Sequence, residues 1–256
     1  MIAFMTAAFR KQRQASLPDI SFGPYRFVIL ALPWLILAAA MRVIAFGGGG
    51  VALPAIIIAN LAVIHAVLVA AQRCIEMTGG QSSLGELGIA EQFKLSLAIA
   101  CRIALLMIAA AAALAAAGYG SLAPHMLAGI DGMAFDQFTV IGKFWSAAVG
   151  AVTLLMVVGA EQNGGRVAFF EAAGELARRW FWLGAAVIAL GVVNLGLSFG
   201  QGLVRSAIVV FWQTSTSSQF VKNLVYFVFI FSFAMLQLWV TLLILTYGLK
   251  QSYVHD

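Results

Sequence analysis

Long apolar runs are the feature of this sequence that most constrains its fold. A helix needs about 20 apolar residues to cross the hydrocarbon core of a bilayer. Because 62% of the 256 residues are hydrophobic and only 10% are charged, a soluble domain has too little interior for them. The runs therefore predict an all-α polytopic membrane protein with about six transmembrane helices. They cover residues 27–46, 51–71, 95–117, 138–160, 180–199 and 221–247.

The basic residues are distributed unevenly between the two ends of these runs. If the amino terminus is cytoplasmic, eleven lysines and arginines fall on the cytoplasmic side and four on the far side. Membrane proteins favour this bias, so both termini are expected in the cytoplasm. The net charge of +5 suits anionic phospholipid headgroups. Bases spread along a membrane edge without a binding motif argue against nucleic acid.

One short pattern occurs twice, 85 residues apart. Residues 76–86 read EMTGGQSSLGE, and residues 161–171 read EQNGGRVAFFE. Each copy begins where an apolar run ends, and glycine readily adopts the left-handed conformation that ends many helices. Each glycine pair is therefore expected to stop a helix on the cytoplasmic side, ahead of the next crossing.

A second acid and a following base complete the pattern. Glu86 and Glu171 fall where a new helix would begin, which is a favourable place for a negative charge. Eight residues later come Lys94 and Arg179, which are expected to mark the membrane surface. The second copy also places Glu175 three and four residues before two arginines, on one helical face.

The first acid of each copy is placed less favourably. Glu76 and Glu161 are expected at helix carboxyl ends, where an unanswered carboxylate costs up to about 1 kcal/mol. Nearby bases, among them Arg178 and Arg179 for Glu161, would answer this charge in surface ion pairs, which is the simpler interpretation. The functional alternative is a polar cytoplasmic site shared by the two copies.

The repeat divides a single transmembrane domain, 1–256, into hairpin units of about 1–75, 76–160 and 161–256. A unit with an even number of crossings keeps its orientation, so an axis along the membrane normal would relate the units. The first unit has the basic tail but lacks the glycine pair.

The stretch GGRVAFFEAAGELARRWFWL, ahead of a crossing rich in glycine and alanine, resembles a known bacterial pattern. It is similar to YciC-like six-helix proteins and to the membrane domain attached to some glycerophosphodiester phosphodiesterases. Glu171, Ala172, Arg178 and Arg179 match best, and the resemblance covers the chain from about residue 76 onward. It implies a short helix before odd-numbered crossings and carries over no catalytic residues. The phosphodiesterase domain itself is not expected here.

The sequence shows no pattern typical of intramembrane catalysis. It has no His-Glu-x-x-His motif and no paired aspartates within the runs, and we expect no enzymatic activity. His65 is the one histidine inside a run, so it could ligate haem iron or a chlorophyll magnesium. Because no second ligand accompanies it, we expect a neutral side chain bonded to a neighbouring helix, and no cofactor.

Arg102 is the deepest clear charge, about two turns into the third run. It is expected to extend back towards cytoplasmic phosphates, as long basic side chains do. The alternative is that it binds an anionic lipid or substrate between helices.

Two further expectations concern helix packing and the fifth run. Gly196 and Gly200 have the spacing of small residues that let helices approach closely, either inside the monomer, which is favoured, or against a partner. Residues 203–212 are apolar but short, and they are expected to form an interfacial helix.

Together these features predict a non-enzymatic accessory or interaction subunit, and the resemblance implies that its membrane is the inner membrane of a bacterium. Its partners would be the lipid bilayer, anionic phospholipid, and other membrane subunits or a second copy of itself. The alternative is a small transporter or channel for an anionic or lipid-like solute, with Arg102 and His65 in its pathway.

Overall fold

The computed structural model of the chain describes residues 29–77, 84, 87–127, 139–163 and 165–254. All regular structure among these residues is helical, as the apolar runs predict. A one-turn 3-10 helix, Gly49–Val51, joins the first two α-helices. The α-helices are α1 (Leu32–Phe46), α2 (Ala52–Met77), α3 (Ile89–Ala116), α4 (Ala123–Leu127), α5 (Val140–Gln162), α6 (Phe169–Arg178), α7 (Trp180–Thr214) and α8 (Gln219–Val254).

Five of the described segments are long and apolar enough to cross a membrane, which indicates a multi-pass membrane protein. In the described part of the first predicted run, α1 has 15 residues and contains a proline, Pro33, in its first turn. Proline suits the first turn of a helix because it lacks the backbone donor that would otherwise go unpaired. At 1.5 Å per residue α1 is about 22 Å long, less than the roughly 30 Å of a hydrocarbon core. The five segments that are long enough to cross, which do not include α1, are Gly49–Gln72, Ile89–Ala116, Val140–Glu161, Trp180–Thr214 and Gln219–Ser252.

The expectation of a separate interfacial helix at 203–212 is wrong. These residues continue α7, which runs unbroken for 35 residues. No proline interrupts this stretch, and Ile208 packs with Phe229 and Ile230 of α8 in a small apolar cluster. Burial against α8 therefore keeps the chain helical where the sequence alone suggested a break.

Helix α5 lies at the centre of the bundle. In its most apolar window 72% of the residues are buried, compared with 22% in the corresponding window of α3. Helix α7 packs chiefly on α8 and α5, and α1 packs chiefly on α2 and α8. The core is thus formed around α5, while α3 lies at the periphery with most of its apolar surface facing outward.

Aromatic and polar contacts identify the two ends of the bundle. The ring of Phe46 lies 4.8 Å from that of Tyr226 and 6.0 Å from that of Trp212, so the α1–α2 and α7–α8 turns share one end. The opposite end contains the α5–α6 turn and the carboxyl end of α8. Hydrogen bonds from Arg179, which follows α6, to Ser252 join the end of α6 to the carboxyl end of α8.

Two glycines allow close helix packing inside the bundle. A Cβ at Gly191 would lie 2.4 Å from the ring of Phe144, which brings α7 against α5. A Cβ at Gly248 would lie 2.4 Å from the Cβ of Ala186, which brings α8 against α7. Neither position can hold a larger residue without movement of its neighbour.

The prediction that Gly196 and Gly200 pack against another helix inside the monomer is wrong. Both glycines are exposed, and a Cβ at either would meet nothing within 4 Å. The opposite stripe of α7, which includes Leu190 and Asn194, is the buried one. The small-residue pair therefore lies on the outward face of α7.

Candidate functional site

The turn between α5 and α6 contains the second copy of the repeated pattern. Gly165 has a φ of +86°, a conformation that glycine adopts readily, and its backbone N–H donates to the carbonyl of Ala160 (2.8 Å). The N–H of Asn163 donates to the carbonyl of Gly159 (3.0 Å). These bonds satisfy the carbonyls at the end of α5, as the glycine pair predicts. The glycine pair of the first copy, 79–80, lies outside the described residues.

A side-chain bond closes the same turn. The Asn163 amide donates to the carboxylate of Glu171 (3.3 Å), which lies in the first turn of α6 as predicted. The carboxylate therefore faces the favourable end of the α6 dipole and also fixes the direction in which the chain leaves the turn. Glu86, its counterpart in the first copy, is not among the described residues.

Glu161 connects the two copies of the pattern. Its carboxylate accepts a hydrogen bond from the backbone N–H of Leu84 (3.3 Å), 77 residues earlier. Arg178 and Arg179, which the sequence offered as its cations, both bind Glu175. Glu76 lies in the last turn of α2, as predicted, but its side chain is outside the described part of the chain. The turn containing Glu161 therefore meets the turn containing Leu84 at one end of the bundle.

Glu175 is the centre of an ion-pair cluster on α6. It binds Arg178 and also Arg179, where the Nε–carboxylate distance is 2.9 Å. Burial by itself raises the pKa of Glu175, but the hydrogen bonds and charges of Arg179 and Arg178 outweigh it, and the pKa lies below its usual value of 4.5. Glu175 is therefore held in its charged form.

Arg179 differs from the surface residue that the sequence predicts. It is only 7% exposed, and it occupies the junction at which α6 ends and α7 begins. Its Nη1 donates to the backbone carbonyl of Ser252 (3.2 Å) and to the Ser252 hydroxyl (3.3 Å). Lys94, at the equivalent position of the first copy, lies inside the continuous helix α3. The two copies thus differ in backbone structure at this base.

An open cavity of about 470 Å³ borders this turn. Its polar edge contains two carboxylates, a guanidinium and an amide, and its apolar edge comes from α5. Such a surface can bind a polar or charged group of a partner. The lining residues are Leu155, Val158, Gly159, Asn163, Ala168, Glu171, Ala172, Gly174, Glu175 and Arg178.

His65 is bonded to a neighbouring helix, as the simpler interpretation expects. Its Nδ1 lies 2.8 Å from the hydroxyl of Ser96, which in turn donates to the carbonyl of Gln92 (3.0 Å). Because the hydroxyl has one proton, Nδ1 must be the donor in the first bond. The imidazole is 1% exposed, and the Trp34 ring lies 4.1 Å away at its edge. The described contacts of His65 therefore join α1, α2 and α3.

Arg102 extends back along its own helix. Its Nη1 donates to the carbonyl of Ala98 (3.0 Å), one turn nearer the start of α3. This is the direction that the sequence predicts. The contact places the guanidinium along α3 rather than beside His65 or in the cavity next to α6, so Arg102, His65 and the residues of α6 do not form one site.

Several buried polar residues escaped the sequence analysis. Lys143, Gln237 and Thr241 are each less than 5% exposed within the apolar helices α5 and α8. Gln237 and Thr241 are four residues apart, which places them on one helical face and could have been noticed. Ser252 had no sequence signal, because its partner Arg179 is distant in the chain. Among the described residues, no group of three or more histidines, cysteines or acids could hold a metal ion.

Comparison with protein families, with curated proteins and with solved structures finds no match to this chain.

Proposed function

We propose that this chain is a non-enzymatic accessory or interaction subunit of a bacterial inner membrane. In this proposal it crosses the membrane six times, with both termini cytoplasmic, and it is organised as the three hairpin units that the repeat suggests. We also propose that the chain is similar to the YciC-like six-helix proteins. The polar end of the bundle, with Glu161 and Arg179, would then face the cytoplasm.

The outward face of α7 supports this proposal most directly. Gly196 and Gly200 form a shallow groove there, because neither has a side chain and no atom of the described residues lies within 4 Å of a Cβ built at either. Phe199 and Leu203, which are 77% and 75% exposed, flank the groove. Transmembrane helices associate through small residues of this kind, since close backbone approach increases van der Waals contact. A helix of a membrane partner fits this face.

Cross-linking and purification from native membranes test this proposal. With Cys74 and Cys101 replaced by alanine, Phe199→Cys should form a specific disulfide with a second copy, or an adduct with another subunit under a bifunctional reagent. Replacing both Gly196 and Gly200 with leucine should abolish the adduct. Gly202→Leu is the matched control, because Gly202 is equally uncovered but lies on a different face of α7. Equal adduct formation in all variants would contradict the proposal.

A buried polar layer supports a second candidate, a small transporter or channel. Among the described residues, both polar side-chain atoms of Asn194 and of Gln237 are buried without a hydrogen-bond partner, as is the hydroxyl of Thr241. In a bilayer each unsatisfied group costs several kcal/mol, so polar residues there commonly mark a pathway for a polar solute.

The helix contacts place this layer at one level of the bundle. Ala186 of α7 and Gly248 of α8 are in contact and give a common reference level. Asn194 follows Ala186 by eight residues, which is about 12 Å along α7. Thr241 precedes Gly248 by seven residues, which is about 10 Å along α8 in the same direction. Lys143 adjoins Phe144, which abuts Gly191, so a buried lysine side chain lies near the same level.

Flux into proteoliposomes tests the second candidate. In isosmotic potassium phosphate, with valinomycin present to carry potassium as the counter-ion, vesicles containing the protein should swell faster than empty vesicles. The double substitution of Asn194 and Gln237 by leucine should remove the difference. Swelling no faster than that of empty vesicles would exclude this candidate for phosphate.

A further inference from the structure

A second cavity, of about 260 Å³, lies at the end of the bundle where the α1–α2 and α7–α8 turns meet. Its floor includes the buried residues Ala59 and Ile230, and its rim includes the exposed side chains of Phe46 and Ile56. Since exposed apolar side chains of a membrane protein face lipid, the cavity opens laterally towards the bilayer. The lining residues are Arg42, Ala45, Phe46, Ile56, Ala59, Asn60, Tyr226 and Ile230.

The polar groups of this cavity are suited to an acceptor-rich ligand. Among the described residues that line it, Arg42 is the only one with an ionised side chain. An Arg42 Nη2 lies 3.5 Å from the Oδ1 of Asn60, which leaves the amide N–H groups of Asn60 as donors. The hydroxyl of Tyr226 can also donate. A guanidinium presents a planar fork that matches two phosphate oxygens at once.

The depth of the cavity matches a lipid headgroup. Arg42 is one turn before the end of α1, and the rings of Phe46, Trp212 and Tyr226 form an aromatic cluster beside it. Clusters of Trp and Tyr are typical of the membrane–water interface, where lipid phosphates lie. The volume is just below the roughly 300–1,000 Å³ of sites that enclose a whole small molecule, which suits a headgroup whose acyl chains remain outside.

We propose that this cavity binds the phosphate of a membrane phospholipid, held by Arg42, Asn60 and Tyr226. An anionic phospholipid is favoured over a zwitterionic one, since a headgroup amine would meet the Arg42 charge. The acyl chains leave between Phe46 and Ile56 along the outer surfaces of α1 and α2. The inference rests on the proposed function in one respect, since it gives the proposed interaction subunit a lipid ligand, but it does not depend on the α7 groove.

Native mass spectrometry of the delipidated, detergent-purified chain tests this site. Dioleoylphosphatidylglycerol should bind the unaltered protein, and Arg42→Gln should weaken the tightest binding at least about tenfold, because hydrogen bonds to charged groups are strong. Arg42→Lys, which keeps the charge but loses the fork, should fall between the two. Arg205→Gln is the matched control, because Arg205 is an exposed arginine of α7 that does not line the cavity. The Arg205→Gln variant should bind the lipid as tightly as the unaltered protein does.

Two ligand comparisons identify what the site recognises. Dioleoylglycerol has the same chains without a phosphate and should not compete, whereas inorganic phosphate should compete only weakly because it lacks the chains. Competition by inorganic phosphate as strong as that by the lipid would assign the site to a soluble phosphate and overturn the proposal. So would equal lipid binding by the unaltered protein and Arg42→Gln.

Folding and partner binding are measured separately for each variant. Circular dichroism and gel filtration should show that Arg42→Gln remains folded. If Arg42→Gln does not fold, Tyr226→Phe replaces it in the test, and this variant is expected to weaken lipid binding about threefold. The Phe199→Cys adduct should form normally in these variants. Loss of the adduct with intact lipid binding would therefore count against the proposed function alone, and the reverse result against the lipid site alone.

Discussion

Arg179 donates two hydrogen bonds to Ser252, its neighbour in space but 73 residues later in the chain. The Ser252 hydroxyl in turn donates a hydrogen bond to the carbonyl of Leu249 (2.7 Å). Through Glu175, the same guanidinium is bound to α6. One buried side chain thus fixes the junction of α6 and α7 against the carboxyl end of α8, which makes the polar end of the bundle a defined surface.

Substitution of this arginine should destabilise the fold far more than substitution of its neighbour. Arg179→Met keeps length but removes the bonds to Ser252 and Glu175, and it should cost about 1.5–3 kcal/mol. Arg178→Met is the control, because its side chain is 60% exposed and an exposed pair is worth about 0–1 kcal/mol. Thermal unfolding in detergent measures both. Equal losses would mean that the bonds to Ser252 contribute little.

The ion-pair cluster should make stability depend on pH in a defined direction. The pKa of Glu175 is lower in the folded chain than its ordinary value of 4.5, so its pairing stabilises the fold above pH 4.5. This contribution is lost as the pH falls below 4.5 through the lowered pKa. The difference in melting temperature between the unaltered protein and Glu175→Gln should therefore be largest near pH 7 and shrink below pH 4.5. A difference that grows on acidification would contradict this assignment.

The two glycines of the α5–α6 region should respond oppositely to alanine. Gly165 has a positive φ, so Gly165→Ala should cost about 1–2 kcal/mol through backbone strain alone. Gly174 lies within helix α6 with open space at its Cβ position, so Gly174→Ala should stabilise by about 0.5–1 kcal/mol. Unfolding measurements on both variants test the contrast, and a neutral Gly165→Ala would show that the turn can be remade without glycine.

Close packing of α8 against α7 should make Gly248 intolerant of any side chain. An alanine Cβ there would lie 2.4 Å from the Cβ of Ala186 and 3.3 Å from the carbonyl oxygen of Trp182. Overpacking of this kind costs about 1–3 kcal/mol. Gly196→Ala, where the Cβ meets nothing, should be no less stable than the unaltered protein. Unchanged melting of Gly248→Ala would indicate that α7 and α8 separate easily at this level.

The proposed orientation can be tested with single cysteines in intact cells. After Cys74 and Cys101 are replaced, cysteines at the exposed positions Gly50 and Ser218 should react with a membrane-impermeant thiol reagent. A cysteine at the exposed Ala177, at the opposite end of the bundle, should react only after the cells are opened. Ser252 is unsuitable because it is fully buried. Labelling at Ala177 in intact cells would reverse the orientation.

Composition and periodicity determined the class of fold and most helix positions. Apolar runs of about 20 residues can be satisfied only inside a bilayer, where each backbone polar group must bond within its own helix. Local chemistry likewise predicted the turn at Gly165, the place of Glu171 in α6 and the contact of Glu175 with two arginines, since each depends on residues close in sequence.

Only the tertiary structure decided which faces of the helices are buried. The sequence of α7 is apolar on all sides, so nothing local showed that Gly191 packs inward while Gly196 and Gly200 remain uncovered. The burial of Arg179 depends on Ser252, and the cavity beside Arg42 depends on α8, which is distant in the chain from α1 and α2. In a membrane protein lipid and protein interior are equally apolar, so hydrophobicity cannot distinguish the two faces, and contacts between helices must do so.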